Sequence, residues 1–549
     1  MGTEPDLILT SAAIYTVNPS EPWVEALAVR DGRISAVGST EDIMELRGPA
    51  TRVLDLPGRM VLPGFQDAHV HPPIAGIDRM RCDLLEVEGR EEILTAVKTY
   101  AETHPDEPWI LGSGWGTGSF PGGVPTAADL DAVVPDRPVL LSSSDGHAAW
   151  ANSRAMELAS VTRATPDPPD GYLERDAAGN PIGTFQEGAA DLVEDVAPSP
   201  TRDDVRRGLL VAQEYLHSLG ITSWQDAIVG ESSWGDTIGV YRDLGESGQL
   251  TARVVGALWW GREQGLEQLG DLREKRTSFA AGRFRPTSVK LMLDGIVENK
   301  TAGVLEPYLG PDGQPTAERG IDFIDPDLLM KLAPMLDEDG FQMHFHAIGE
   351  RAVRNALNAL TRVQEEGRRA HRHHISHIQI IHPDDIGRFA ELDVTANMQP
   401  LWACHEPAMD DLNIPILGQE RSGWLYPFAS LLRSGARLAG GSDWNVSTPN
   451  VFLQSEVAVT RIGRDAPDAD PLLPGEAITL DAALRAYTMG SAYVNHQDDV
   501  TGSIEVGKYA DLAVVDRNLF ASDDGPIGDA RVLLTLVEGE EVFSSGEVA

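Results

Sequence analysis

The pattern of apolar and polar positions changes twice along the chain. Residues 6 to 61 alternate apolar and polar positions over short runs separated by Gly and Asp-Gly, which predicts short strands joined by turns. The same pattern returns near the C-terminus in "DLAVVDR" and "VLLTLVEGEEVFSSG". Because isolated hairpins are only marginally stable, we predict that residues 1–60 and 500–549 form one composite β-sandwich domain.

Between these ends, apolar runs of strand length alternate with longer amphipathic stretches, an α/β pattern. Helices are predicted at 202–218, 350–366 and 383–391. Eight strands connected by helices are typical of a (β/α)8 TIM barrel, which we assign to residues 61–499. The eight predicted strands are 61–67, 221–226, 253–260, 287–293, 341–346, 374–380, 394–398 and 437–442.

The connection after the first predicted strand is much longer than the others. It runs from about 72 to 220 and contains the strand-like "RPVLLSSS" and the Gly-rich "GSGWGTGSFPGG". Counting "RPVLLSSS" as a barrel strand would give nine strands instead of eight. We therefore predict that 72–220 contains an inserted region that covers the mouth of the barrel.

Charge and cysteine content restrict the classes of partner and location. The 85 acidic and 44 basic residues give a net charge of −41, which disfavours a nucleic-acid partner because phosphates require a basic surface. No apolar run approaches the roughly 20 residues of a membrane helix, and no secretory signal is predicted at the N-terminus. The two cysteines, Cys82 and Cys404, cannot form a disulfide framework, so we predict a cytoplasmic protein.

Candidate chemistry is concentrated where the predicted strands end. In "FQDAHVHPP", His69 and His71 are two residues apart, so on a strand they point to the same side. That pair alone fits two metal ligands and two structural histidines about equally well. The carboxyl ends of barrel strands meet at one face, where function resides. Further candidates stand in or at the ends of other strands: Lys290 in "TSVKLMLDG", His344 and His346 in "FQMHFHAIGE", His373, His374 and His377 in "RHHISHIQI", and Asp443 in "ARLAGGSDWNV".

This ordered set, preceded by "VLPGFQDAHVH", resembles the amidohydrolase superfamily of metal-dependent hydrolases. The flanking "VEALAVRDGRISAVGS" and "TGSIEVGKYADLAVVDRN" resemble the family's terminal β-domain. The resemblance implies one or two divalent metals, usually zinc, and a lysine that becomes carboxylated and bridges them. It implies these metal ligands: His69, His71, Lys290, His346, His377 and Asp443. The alternative is a plain Lys290 beside a single metal.

The most similar branch is amidohydrolase family 3, which includes N-substituted formamide deformylases. The motifs that carry this likeness are "DGHAAWANS" (145–153), "HAIGERAV" (346–353), "DDIGRFAELDVTANMQP" (384–400) and "GSDWNV" (441–446). Two departures stand out. Glu350 replaces the usual Asp, and "IVENKTAG" (296–303) replaces a short Gly/Ser stretch, so substrate preference is expected to differ from that of relatives.

The resemblance also implies residues that bind substrate. His147, in the insertion, is expected to line the pocket, the alternative being that it only braces a turn. Trp115 and Trp402 are candidates for an apolar pocket wall, although buried tryptophan is more often core packing. His344 is given at most a secondary role, and His373 and His374 a structural one. Solvent exposure is expected for the remaining histidines, His104, His217, His371, His382, His405 and His496.

The implied reaction is metal-assisted hydrolysis of a carbon–nitrogen bond in a small, linear N-substituted amide. Asp443 would act as the general base, and His377 would help to stabilise the oxyanion. The alternatives are hydrolysis of a cyclic amide or imide and a non-catalytic scaffold on the same fold. A small-molecule substrate and a homodimer are expected, with no nucleic-acid or membrane partner.

Overall fold

Eight buried segments form one parallel sheet in chain order, which confirms the predicted TIM barrel. The computed structural model describes residues 4–85, 87–144, 146–231, 233–367, 371–521 and 525–548. The barrel closes where the backbone N–H of Asp443 donates to the carbonyl of His69 at 2.7 Å and that of His71 donates to Trp444 at 2.8 Å. The barrel strands are, in order, Phe65–Val70, Ile221–Val229, Arg253–Trp259, Phe284–Met292, Gln342–Ala347, His374–His377, Thr395–Met398 and Leu438–Gly440.

The predicted boundaries of the first barrel strand were wrong. The predicted strand 61–67 spans two elements, because Met60–Pro63 belongs to an outer sheet and the barrel strand begins at Phe65. Gly64 separates them: its N–H donates to the carbonyl of Asp511, and a Cβ there would lie 2.5 Å from the Thr222 side chain. Both segments are buried on both faces, and no polar residue stands between Met60 and Phe65 to mark where the first ends.

Helices cover the outside of the barrel. Leu209, Leu216 and other apolar residues on one face of the helix between the first two strands are buried, as its amphipathic pattern predicts. The helices that follow the first seven strands are Arg202–Ser218, Thr237–Ser247, Leu269–Ser278, Pro326–Glu338, Glu350–Glu365, Pro383–Glu391 and Phe428–Arg433. After the eighth strand come Val451–Thr460, Leu480–Arg485 and Ser491–Val494. In the described part of the chain, no helix is both long and apolar enough to cross a bilayer.

Strands from both ends of the chain meet in one outer sheet. Met60–Pro63 pairs in parallel with Ala13–Tyr15 and antiparallel with Leu512–Val515. This sheet also contains Trp23–Val24, Val532–Val537 and Glu540–Ser544. A second sheet is formed by Leu7–Thr10, Ala26–Arg30, Arg33–Gly38 and Arg52–Asp55. The domain boundaries at 60 and 500 stay a prediction.

The long connection after the first barrel strand builds a sheet of its own. The strand-like "RPVLLSSS" contributes Val139–Ser143 to this sheet and therefore lies outside the barrel. The other strands are Cys82–Asp83, Ile110–Trp115, Ala148–Ala151, Gly171–Arg175 and Pro181–Glu187. Its helices are Arg90–Thr103, Ala127–Val133, Ser153–Leu158 and Asp191–Glu194, and the helix Pro72–Asp78 precedes the sheet. The last strand ends at Glu187 beside the carboxyl face of the barrel, where it contacts the loop after the fourth barrel strand.

Candidate active site

The six residues predicted as metal ligands lie together at the carboxyl face of the barrel. His69 lies within the first strand, whereas His71 follows its end and precedes the helix Pro72–Asp78. All six are buried, with exposures of 6% or less. The other four are Lys290 in the fourth strand, His346 in the fifth, His377 at the end of the sixth, and Asp443 after the eighth.

Asp443 occupies the centre of this group. Its Oδ1 lies 3.2 Å from Nε2 of His69 and 2.9 Å from Nε2 of His71, and its Oδ2 lies 3.7 Å from Nδ1 of His377. Burial would raise the pKa of this carboxyl group, but the neighbouring imidazoles outweigh burial and hold its pKa well below the usual value. Asp443 is therefore an ionised proton acceptor at neutral pH.

Burial favours the neutral form of the histidines around Asp443. Burial, with Lys290 adding to it, lowers the pKa of His69 to about 3, and burial also lowers the pKa of His71. The pKa values of His346 and His377 are well below the ordinary value, again chiefly because of burial. Neutral imidazoles keep a lone pair, which is the form that binds a metal ion.

Lys290 is the only lysine with a buried side chain among the described residues, which include all six lysines. Its Nζ lies 3.2 Å from Nε2 of His69. Burial lowers the pKa of Lys290 to about 7, although Asp443 and Asp226 counteract the shift. A substantial fraction of this amine is therefore uncharged near neutral pH.

His346 and His377 form the other side of the site. Their ring centroids are 4.3 Å apart, and Nε2 of His346 lies 3.7 Å from Oδ1 of the buried Asp294. His377 and Asp443 both have positive φ, 74° and 57°. Such backbone conformations cost free energy for residues other than glycine and are concentrated at functional sites.

The arrangement fits a divalent metal. His69, His377 and Asp443 each offer one ligand atom, and these atoms lie within 4.8 Å of one another. Both ring nitrogens of His377 and Nδ1 of His71 are buried and have no hydrogen-bond partner among the described residues. Imidazole nitrogens combined with a carboxylate are a donor set that suits zinc and similar ions.

Asp67, which was not selected from the sequence, holds the backbone of two segments that carry the predicted ligands. Its carboxylate accepts hydrogen bonds from the backbone N–H of His69 at 2.9 Å and from the hydroxyl of Ser442 at 2.5 Å. It therefore ties the first strand to the segment that carries Asp443. The motif "FQDAHVH" contained the signal, because Asp67 shares the two-residue spacing of the histidines.

His147 lies beside the six predicted metal ligands, with its ring centroid 5.8 Å from that of His346. Its Nδ1 lies 3.0 Å from both carboxylate oxygens of Glu187. Burial would raise the pKa of Glu187, but His147 and the Thr301 hydroxyl more than compensate, so the carboxyl group is ionised. The sequence analysis missed Glu187 because nothing in the sequence distinguishes it from the other acidic residues. Asp145, in the same motif as His147, lies outside the described residues.

The two tryptophan candidates occupy different environments. Trp402 lies beside His377, with 6.4 Å between ring centroids, whereas Trp115 is fully buried in the core of the inserted region. The Nε1–H of Trp115 donates to the carbonyl of Leu141, and its ring contacts Phe120 and Trp150. These contacts are those of a core residue. Trp234, which the sequence analysis did not select, lies 5.4 Å from His71 between ring centroids.

The histidines given lesser roles all have hydrogen-bond or ion-pair partners, and His217, His344 and His374 are buried. The ring of His374 lies between the side chains of Gln225 and Asn397. His373 precedes the sixth strand, at the end away from the site, and its Nε2 lies 3.2 Å from the Asp337 carboxylate. His344 contacts the site directly, because its Nε2 lies 2.9 Å from Nδ1 of His69. His217 is buried and bonded to the carbonyl of Ile221, so the expectation of solvent exposure was wrong for this residue.

Glu350 and the segment 296–303, which depart from the family pattern, both form hydrogen bonds near the site. Oε1 of Glu350, at the start of its helix, accepts a hydrogen bond from the backbone N–H of Leu305 at 3.0 Å. In "IVENKTAG", the Thr301 hydroxyl donates to Glu187 at 2.6 Å, and the Asn299 amide donates to the same carboxylate at 3.3 Å. This segment therefore joins the loop after the fourth strand to the inserted region.

A small cavity of about 60 Å³ adjoins the site at His147. The inserted region and "IVENKTAG" supply much of its wall, including the carboxylates of Glu174 and Glu298. Among the described residues that line it, none is lysine or arginine. Its acidic wall is unfavourable for an anionic molecule.

Residues 52–543 match the profile of the Amidohydrolase family. The chain is 31% identical to the Protein LONG AFTER FAR-RED 3 of Arabidopsis thaliana, covering 99% of this chain and 92% of that protein. It is 28% identical to the N-substituted formamide deformylase of Arthrobacter pascens, covering 97% of both. An uncharacterized metal-dependent hydrolase from Pyrococcus furiosus has a similar structure, with a TM-score of 0.70 and 26% identity over 93% of this chain and 99% of that one. The protein therefore belongs to the amidohydrolase family, as its motifs predict.

Proposed function

We propose that this protein is a metal-dependent amidase that hydrolyses the carbon–nitrogen bond of a small, linear N-substituted amide. The observation that carries the proposal is the buried Asp443 carboxyl group, which lies within 3.2 Å of the His69 and His71 imidazoles at the carboxyl face of the barrel. The full-length similarity to an N-substituted formamide deformylase supports an amide as the substrate class.

The residues proposed to hold the metal are His69, His71, Lys290, His346, His377 and Asp443. When bound, a divalent metal such as zinc would activate water and polarise a carbonyl group. Asp443 lies within reach of the same centre as these ligands, so its carboxylate accepts the proton of the attacking water. It then returns that proton to the departing amine nitrogen. His377 serves as a metal ligand or as an N–H donor to the oxygen that gains negative charge.

The cavity at His147 is the proposed site for the N-substituent. The carboxylates of Glu174 and Glu298 in its wall favour neutral or cationic substituents over anionic ones. Trp402 beside His377 is proposed to cover one side of the reacting group. We further propose a cytoplasmic location, since Cys82 and Cys404 are buried thiols.

The proposed function is tested with a panel of substrates on the zinc-loaded protein. The panel compares N-formyl and N-acetyl amines with cyclic imides and deaminase substrates, and its linear amides carry cationic, neutral or anionic N-substituents. We expect linear amides with neutral or cationic substituents to be hydrolysed, and chelated protein to be inactive until metal is restored. Turnover confined to cyclic imides or to deamination would contradict the proposal.

The pair formed by His147 and Glu187 should act as a unit. Glu187→Gln keeps the size of the side chain but removes the charge that orients His147, so we expect a loss in kcat/KM of about tenfold or more. His147→Ala should lose at least as much and should alter the preference among N-substituents. In the double variant, Glu187→Gln should add little to His147→Ala, because the two losses share one cause.

Steady-state kinetics on the two single variants and the double variant provide this comparison. Glu157→Gln is the control, because it makes the same chemical change on an exposed helix of the inserted region. Independent, additive losses from His147 and Glu187 would show that Glu187 does not act through His147.

A further inference from the structure

A row of buried amide and imidazole side chains leads through the barrel to the metal-binding group. Gln342, Gln225, His344 and His69 follow one another in this row, and each is at most 2% exposed. We propose that this row fixes the hydrogen of His69 on Nδ1 and so holds its Nε2 lone pair ready for the metal. The inference rests on the proposed metal site but does not depend on which amide is hydrolysed.

The row begins at backbone groups whose polarity is fixed. Nε2 of Gln342 lies 2.8 Å from the carbonyl oxygen of Arg372 and 2.7 Å from that of Val494. Carbonyl oxygens only accept, so this end of Gln342 is its NH₂ group. Oε1 of Gln342 then accepts a hydrogen bond from Nε2 of Gln225 at 3.0 Å.

A second path fixes Gln225 in the same orientation. The backbone N–H of His377 donates to Oε1 of Gln399 at 2.7 Å, and Nε2 of Gln399 donates to Oδ1 of Asn397 at 3.0 Å. Asn397 therefore presents its NH₂ group to Nδ1 of His374, at 3.2 Å. The other nitrogen of His374 carries the hydrogen, which it donates to Oε1 of Gln225 at 3.0 Å. Two independent paths thus make Oε1 the acceptor end of Gln225.

His344 transmits this orientation to the site. Its Nδ1 lies 2.7 Å from Oε1 of Gln225 and must therefore carry the hydrogen. A neutral imidazole has one donor and one acceptor, so Nε2 of His344 accepts. It receives hydrogen bonds from Nδ1 of His69 and from the hydroxyl of Ser376, both at 2.9 Å.

The consequence is a single tautomer for His69. With the hydrogen on Nδ1, its Nε2 keeps a lone pair directed at the site, where Oδ1 of Asp443 and Nζ of Lys290 each lie 3.2 Å away. The opposite tautomer would place a hydrogen on Nε2 and donate it to Asp443. That hydrogen bond would compete with the metal for both groups, and the row of side chains opposes it by holding the hydrogen on Nδ1.

His344 and Gln225 are thus positioning residues for a metal ligand. Groups that hold a ligating histidine in one orientation typically change metal affinity by ~10–100-fold when they are removed. From the sequence, His344 was given at most a secondary role, because the resemblance favours His346 as the ligand, and Gln225 was not selected.

The direct test is the tautomer of His69 in metal-free wild-type protein, measured from the ¹⁵N shifts of labelled histidines. The His69 signals are assigned by their loss in His69→Gln. We expect Nδ1 to be protonated and Nε2 to be unprotonated. In His344→Phe the acceptor is gone, so the hydrogen should move to Nε2 and zinc affinity should fall by ~10–100-fold. Gln225→Met should produce a mixture of His69 tautomers, because it frees His344 to reverse its own.

Ser376→Ala is the matched control. It removes the other hydrogen bond to the same nitrogen of His344 without changing which atom accepts, so the His69 tautomer should be retained. Thermal unfolding of each variant separates a general loss of stability from a change of tautomer. If His344→Phe does not fold, the wild-type spectrum and Gln225→Met still decide the question.

Two results would overturn the inference. One is a hydrogen on Nε2 of His69 in the metal-free wild-type protein. The other is a folded His344→Phe protein that binds zinc as tightly as the wild type. Failure of the substrate panel with the expected His69 tautomer would refute the amidase proposal and leave the positioning role intact.

Discussion

Asp443→Asn is expected to fold normally and to lose kcat/KM by a factor of ~10²–10⁴ or more, the usual contribution of a general base. Asparagine keeps the size of the side chain and the backbone hydrogen bond to His69 that closes the barrel. It cannot accept a proton from water at neutral pH, and it replaces a carboxylate that lies within 3.2 Å of two imidazoles. Weaker metal binding would add to the loss.

The measurement combines steady-state kinetics with metal content and thermal unfolding. Asp337→Asn is the matched control, because Asp337 is also a buried aspartate beside a histidine, but at the opposite end of the sixth strand. We expect it to alter stability and to leave turnover near that of the wild type. An Asp443→Asn protein that is folded, loaded with metal and nearly fully active would refute the role of general base.

The barrel could be predicted because its strands are short apolar runs at regular intervals. Each predicted barrel strand overlaps an observed one, as in 253–260 against Arg253–Trp259. The error at the first strand has a physical cause, since two consecutive strands that are buried on both faces leave no polar position between them. Only the three-dimensional contacts of Gly64 show where the outer strand ends and the barrel strand begins.

That the six candidate ligands meet could also be predicted, because a barrel brings the carboxyl ends of its strands to one face. His69, Lys290 and Asp443 are 221 and 153 residues apart in the chain, and their functional atoms lie within about 3.2 Å of a neighbour in the group. The strand positions of these residues were sufficient to predict that they meet. They were not sufficient to predict the distances between them.

The supporting residues could not be predicted, because they act through contacts between distant segments. Glu187 belongs to the inserted region and meets His147 only because two strands of its sheet pair there. Nothing in the sequence distinguishes Gln225 from other glutamines. Its role depends on its hydrogen bonds with four side chains, those of Gln342, Asn495, His344 and His374. Trp115 was a candidate for an apolar pocket wall, with core packing as the alternative, and the structure places it in a core.

The second prediction of large effect concerns Lys290, which we expect to be carboxylated in the metal-loaded protein. The uncharged amine adds to carbon dioxide, forms a nitrogen–carbon bond and releases one proton, which yields a carbamate anion. A protonated Lys290 would repel a cation at His69 Nε2, 3.2 Å from Nζ, and its burial would be costly as well. The carbamate reverses the charge and offers two oxygens to the metal.

Lys290→Ala is therefore expected to bind fewer metal ions per chain and to lose kcat/KM by a factor of ~10² or more, as loss of a metal activator implies. Short carboxylic acids supplied with zinc should restore part of the activity, since they replace the missing carboxylate. Lys290→Arg should not restore it, because a guanidinium group stays protonated. Lys275→Ala is the control, since that lysine forms an ion pair on an outer helix.

The modification itself is observable independently of activity. Metal-free protein reloaded with zinc under ¹³C-labelled carbon dioxide should show one carbamate signal, and that signal should be absent from Lys290→Ala and present in Lys275→Ala. Reloading in buffer depleted of carbon dioxide should slow the recovery of activity, because the amine cannot form the carbamate without it. A fully active, metal-replete enzyme with a plain Lys290 would reject the bridge, and the site would then be a single metal held by the histidines and Asp443.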